Sequence, residues 1–157
     1  MNVVDILKYG HLTLLGSVED LSESDTEVGG VCGWWSVRDI MAHMTSFEHL
    51  LAEVLDTFLG AEFGPNMTEM AQQAGEWNDL QVERRKDKRM AEVLAEYNQA
   101  HDWVMDLAAR VPAEKYPENG TIPWYGPEYC LDDFIVYTNY AHKREHSAQV
   151  MVYRDRM

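Results

Sequence analysis

Immediately after Ser36 a run of apolar residues at helical spacing begins, and it continues through Val37, Ile40, Met41, Met44, Leu51, Val54, Leu55 and Phe58 until Gly60. The 3.6-residue period places these side chains on one stripe, so the segment is a helix that must bury the stripe against other elements. Its start is marked by Ser36-Val37-Arg38-Asp39, which has the form of a capping box with Ser36 as N-cap and an acid at the third helical position.

Three further stretches carry the same period. The first runs from about Val3 to Val18, with Val3, Leu7, Leu14 and Val18 on one face. The third is expected from about Val82 to Arg110 through Val93, Tyr97, Val104, Leu107 and Ala108, stopping before Pro112. The fourth is expected to open with Pro127 in its first turn and run to about Tyr153, with Leu131, Phe134, Ile135 and Thr138 facing inward. Between the second and third helices, Gly64-Pro65 and Gly75 break the pattern, while Phe63 and Trp77 make Gly60 to Leu80 too apolar for a free linker. It reads as an ordered crossover. Pro117 to Gly126 is a second irregular stretch, and no strand, repeat or low-complexity run competes with the helices. The expected fold is all-α, a four-helix bundle with a long crossover between helices 2 and 3, formed as one domain over residues 1–157.

Composition narrows the function. The 13 basic and 27 acidic side chains leave a net charge of −14, which repels nucleic-acid phosphates and anionic lipid. The densest basic run, Arg84-Arg85-Lys86-Asp87-Lys88-Arg89, is expected on a helix beside Glu83 and Glu92 and reads as a solvated face, not a binding patch. No apolar stretch is long enough to span a bilayer, and Met1 to Lys8 reads as helix instead of a basic leader. A cytoplasmic location is expected. Cys32 and Cys130 fit neither a CxxC nor a zinc-ribbon spacing, so reduced, structural thiols are expected.

The chemistry of the chain is carried by its histidines. His142 and His146 stand four apart on the last helix, so both project from one face about 6 Å apart along the axis. Ile135, Thr138, His142, His146 and Gln149 continue one stripe, which turns both imidazoles toward the bundle interior. His43 lies at the inner edge of the second helix. With helices 2 and 4 antiparallel the levels agree: His43 stands roughly 10 Å from the Ser36 cap, and His142 and His146 about 10 to 17 Å from the end near Tyr153. Three neutral imidazoles on rigid helices form an open site suited to Zn²⁺, Ni²⁺, Mn²⁺ or Fe²⁺. The competing reading makes each histidine a hydrogen-bonded core residue, and the agreement of three positions weighs against it. A third helix parallel to the second would carry His101 to the far end of the bundle, so His101 is left out of the site. His11 and His49 fit surface or boundary positions.

At these residues the chain resembles the DinB-like superfamily of metal-binding four-helix bundles, which includes thiol-dependent transferases and the N-terminal part of mycothiol-dependent maleylpyruvate isomerase. Trp35-Ser36-Val37-Arg38-Asp39-Ile40-Met41-Ala42-His43-Met44 is similar to the family's tryptophan, capped helix start and first histidine. Asn139-Tyr140-Ala141-His142-Lys143-Arg144-Glu145-His146-Ser147-Ala148-Gln149 is similar to its closing HxxxH with a following glutamine. The resemblance covers nearly the whole chain and implies metal ligation by His43, His142 and His146, with helices 2 and 3 joined by the long crossover. Many members have Arg-Gly after the last histidine where this chain has Ser147-Ala148, which is closer to the ClbS/DfsB-like branch of small bundle proteins that includes cyclopropane hydrolases.

A divalent metal on three histidines lowers the pKa of bound water or accepts a thiolate or substrate oxygen. The reading is therefore a metal-dependent hydrolase or thiol-dependent transferase acting on a small, electrophilic or toxic molecule, with no general base assigned. The alternative is a stress-response bundle that binds metal or ligand without turnover. Glu145 turns about 100° from His146, toward the bundle flank, and Glu48 turns off the face of His43 toward an expected surface position. Trp34, Trp35, Trp77, Trp124 and Tyr125 read first as caps on the core and second as walls of a substrate pocket. The nine methionines read as core filler. The expected partner is a small molecule, with exposed helix faces available for a homodimer.

Overall fold

The computed structural model describes residues 1–157, and no strand forms. Four long helical segments make the bundle: α1 (Val3–Val18), α3 (Val37–Thr57), α6 (Met90–Arg110), and a last segment in which α7 (Leu131–Ile135) passes through a π-helical turn (Val136–Tyr140) into α8 (Ala141–Asp155). Short helices fill the connections, namely α2 (Glu23–Thr26), α4 (Pro65–Gln73) and α5 (Trp77–Glu83).

Each long helix starts where a side chain satisfies its free amides. Ser36 Oγ accepts from the Asp39 amide at 3.1 Å and Asp39 Oδ2 accepts from the Ser36 amide at 2.9 Å, which completes the expected capping box of α3. The last segment begins at Leu131 and not at Pro127. Asp133 Oδ2 accepts the Cys130 amide at 3.0 Å and so fixes Cys130 as the cap, while Pro127 sits inside a turn closed by the Tyr129 amide on the Gly126 carbonyl. The fixed φ of proline suits that turn position as well as a helix start.

The third helix is also shorter than its hydrophobic period implies. Arg84 to Arg89 form a turn between α5 and α6, and α6 starts at Met90, whose amide donates to Glu23 Oε1 at 2.7 Å. Arg85 folds back on the Gln81 carbonyl and pairs with Glu96, Arg84 pairs with Glu69, and Lys86 with Glu83. The basic run is thus solvated and neutralised on a turn, not on a helix. The crossover holds more helix than Gly64-Pro65 suggests, because Pro65 occupies the first turn of α4, where its missing N–H costs nothing. Glu53 of α3 caps that helix from outside, accepting from the Met67 amide at 2.8 Å and the Asn66 amide at 3.1 Å. A Cβ at Gly64 would collide with the Glu53 carboxylate, so this close approach requires glycine.

The core has two storeys. Val37, Ile40 and Met44 pack at one level with Leu14, Val93, Tyr97 and Val150; Leu51 and Leu55 pack at the other with Leu7, Val104, Leu107, Leu131 and Phe134. These levels run α3 and α6 in one direction and α1 and the last segment in the other. The principal pairings are α3 with α6 and α1 with α8. Buried Met41, Met44, Met67 and Met90 fill core space. No helix is long and apolar enough to cross a membrane.

Candidate metal centre

His43 sits in the second turn of α3 and His142 and His146 on successive turns of α8. The Nε2 atoms of His43 and His146 each lie 3.0 Å from Nε2 of His142, and the three nitrogens all fall within 4.8 Å of one another. The antiparallel register and the expected levels therefore bring these three residues together. His43 and His146 are buried and His142 is half-buried.

The second nitrogen of His146 defines its tautomer. Its Nδ1 lies 2.8 Å from Gln149 Oε1 and donates to it, which leaves Nε2 with a lone pair directed at the other two rings. His43 has no comparable polar tether, because its Nδ1 is buried without a hydrogen-bond partner. Aromatic packing holds that ring instead. Trp35 lies 4.8 Å from it between centroids, and Phe47, one turn along α3, meets His43 edge-on at 4.9 Å and His142 at 4.7 Å. Behind Phe47 stands the fully buried Trp77 at 5.6 Å.

Burial keeps the three rings neutral. It pushes His43 down to about 2, helped by the neighbouring His142 and His146, and pushes His142 down to about 4, with His146 next in effect and a backbone hydrogen bond to Thr138 opposing. Burial lowers His146 too, against the opposing bond to Gln149. Neutral imidazoles are the form in which histidine ligates metals.

Hydrogen bonds alone do not satisfy such a trio. An imidazole Nε2 has one in-plane position, filled by either a proton or a lone pair, so His142 can match only one of its two neighbours. A shared cation matches all three at once. Two nitrogens on one ion at about 2.1 Å stand roughly 3 to 3.5 Å apart, which matches the His43–His142 and His142–His146 spacings of 3.0 Å, and all three nitrogens lie within 4.8 Å. The donor set fits a first-row divalent ion with positions left open.

The other candidates lie elsewhere. His49 contacts Glu96 at 3.1 Å, and Glu145 is exposed. Trp77 belongs to the core, Trp124 and Tyr125 pack on Phe134, and Trp34 is 76 % exposed. Both cysteines are free, and burial raises the Cys130 thiol, whose Sγ donates to Asp133. His101 does not reach the far end of the bundle. The helices α3 and α6 are indeed parallel, but His101 stands level with Glu48, at mid-height, and its Nδ1 contacts Glu48 Oε2 at 3.2 Å.

Glu48 corrects the sequence reading most. It is wholly buried, not at the surface, because Lys143, Asn139 and His101 surround its carboxylate. Burial alone would raise that carboxyl, but Lys143 and His101 hold it down at about 2. Sequence spacing missed Asn139 and Lys143 because a polar residue on a helix is ordinarily assigned outward. The sequence stripe had turned Thr138 inward, yet Asn139 lies deeper: Thr138 is half-buried with Oγ1 donating back to the Phe134 carbonyl at 2.6 Å. The π turn explains the slip, since each residue it accommodates beyond the α-helical count rotates the following face.

Comparison with known families agrees with this architecture. The sequence model of the DinB superfamily matches residues 12–150, and the chain belongs to that superfamily. The match begins within α1, ends within α8, and includes α3, α6 and all three histidines. No curated protein and no solved structure matches the chain.

Proposed function

We propose that the chain is a metal-dependent hydrolase or thiol-dependent transferase acting on a small molecule, with His43, His142 and His146 as ligands. The observation that carries this reading is the convergence of three neutral Nε2 atoms with no carboxylate among them. The cation such a site holds supplies Lewis acidity to a water, a thiolate or a substrate oxygen at its open positions. The chain's own residues bind and orient. Gln149 fixes the His146 tautomer, and Trp35 and Phe47 close off the flanks of His43 from water and leave the half-buried His142 side as the approach.

The same trio supports a second reading, a bundle that binds metal or ligand without turnover. What favours it is that none of the three imidazoles hydrogen-bonds a carboxylate or a tyrosine hydroxyl that could move a proton. Elemental analysis of protein purified without chelator tests the centre: one metal ion per chain is expected, lost in His43→Ala. Hydrolysis of an activated aryl ester, and conjugation of an aryl halide with a low-molecular-weight thiol, then separate the readings. Turnover of either that is absent in His43→Ala supports the enzyme, and stoichiometric metal with no turnover of both supports the binding bundle. A folded wild type that takes up no Zn²⁺ or Ni²⁺ would overturn the metal-dependent enzyme and leave a bundle that binds a ligand alone.

A further inference from the structure

The two helices that bring the ligands together are not each other's principal partners. The last segment packs on α1, and α3 packs on α6. At the level of the ligands, two sets of polar side chains cross the seam between α3 and the last segment. The first crossing is the histidine trio. The second is the wholly buried pair of Glu48 on α3 and Lys143 on α8, reinforced by Asn139 Nδ2 donating to Glu48 Oε1 at 2.8 Å. His101 on α6 fixes the other carboxylate oxygen from behind, and the Lys143 ammonium stands 5.5 Å from the centre of the Tyr97 ring.

Placement relates the two crossings. Glu48 follows His43 by five residues, about 7.5 Å along the axis, and Lys143 is the neighbour of His142. Apolar contacts are non-directional and tolerate a slip or rotation of one helix on the other. A buried ion pair does not, because any displacement strands two charges out of water. Such a pair adds little net stability, since apolar residues of the same volume serve as well or better, and its attested use is to set register.

We propose that the Glu48–Lys143 pair is a positioning device for the metal centre, fixing α8 against α3 so that the His43 imidazole meets those of His142 and His146. The inference rests on the reading of the trio as a metal site. It assigns the pair to metal affinity and not to the stability of the fold, and both residues act through the ligands without touching the ion.

The test compares wild type with Glu48→Leu/Lys143→Met, which replaces the pair by apolar side chains of similar volume, and with Glu48→Gln. Three quantities are read: the urea midpoint of the metal-free protein, the Zn²⁺ dissociation constant by chelator competition, and the visible spectrum of the Co²⁺-loaded protein. The double variant removes two buried charges but leaves Asn139 and His101 without their partner, so its midpoint is expected close to the wild-type value. It is expected to bind Zn²⁺ at least tenfold more weakly and to give an altered Co²⁺ spectrum, the range seen when residues that orient ligands are removed. Wild-type affinity and spectrum in the double variant would overturn the inference, as would an affinity loss that only tracks a loss of stability. If the double variant does not fold, Glu48→Gln decides at a temperature where circular dichroism shows it helical: at least tenfold weaker binding upholds the role, and unchanged binding overturns it. A wild type that binds neither ion removes the metal reading and this role together, which is distinct from a wild type that binds beside variants that bind equally well.

Discussion

Gln149 accepts the Nδ1 proton of His146 across 2.8 Å of the same helix, and this single bond decides which nitrogen of His146 faces His43 and His142. Replacing Gln149 by Leu removes the acceptor and lets the ring exchange tautomers or rotate. Zn²⁺ affinity is expected to fall about 10- to 100-fold, as for other residues that orient metal-bound histidines. The midpoint of thermal unfolding without metal is expected to change by no more than a few degrees, since Gln149 is only half-buried. Chelator competition and calorimetry on one sample check both.

The metal-free protein is expected to lose stability on acidification in two steps. His11, His43 and His142 have folded pKa values of about 4, 2 and 4, each lowered mainly by burial from 6.5. A group with a depressed folded pKa binds its proton first in the unfolded chain, so the stabilisation present above pH 6.5 is lost as the pH falls from there, toward about 4 for His11 and His142 and toward about 2 for His43. Glu48, lowered from 4.5 to about 2, adds a loss that begins only below pH 4.5. Urea midpoints measured from pH 8 to pH 3 check the order. In His11→Phe, which keeps a ring to stack on His101, the first step is expected to be shallower.

At Gly64 the expected cost is steric and electrostatic together. An added methyl in Gly64→Ala displaces the Glu53 carboxylate from the Asn66 and Met67 amides, leaving a buried acid and two helix-start donors without partners. A destabilisation of about 2 to 3 kcal/mol is expected. Glu53→Ala should cost a similar amount, and the two changes combined should cost much less than their sum in a double-mutant cycle by urea unfolding.

The two thiols are expected to differ in reactivity. Cys130 is buried, raised by burial, and donates to Asp133, whereas Cys32 is partly exposed in the turn before Trp35. A disulfide exchange reagent at neutral pH should label Cys32 promptly and Cys130 only on a time scale set by opening of the helix start. Mass spectrometry of the labelled peptides reads the order directly.

Much of this architecture is legible before any coordinates. The Ser36 capping box, the stripe after it and the separation of His43 from the His142/His146 pair define the helices and the trio, because each depends on local spacing along one helix. What spacing does not carry is compensation between helices. Glu48 reads as a surface residue and Lys143 draws no reading of its own, because each is costly to bury alone and only their pairing across α3 and α8 makes burial tolerable. The Arg84 to Arg89 turn is hidden for the same reason: apolar residues at helical period flank it, Glu69 and Glu96 take up guanidinium donors of the turn, and Glu23 takes up the Met90 amide that follows it. At Pro127 the local signal was real but ambiguous, since a turn and a helix start make the same demand on φ.

The pairing order of the long helices has a kinetic consequence. The closest partners are α1 with α8 and α3 with α6, so the middle two long helices pair as neighbours in the chain while the first must pair with the last. During synthesis α1 must hold an apolar face open until the final helix emerges, and His43 waits equally long for His142 and His146. Assembly of this bundle is therefore a late, non-local event, and its folding rate should fall below that of an up-and-down bundle of equal length, in which each hairpin of helices closes as soon as it is made.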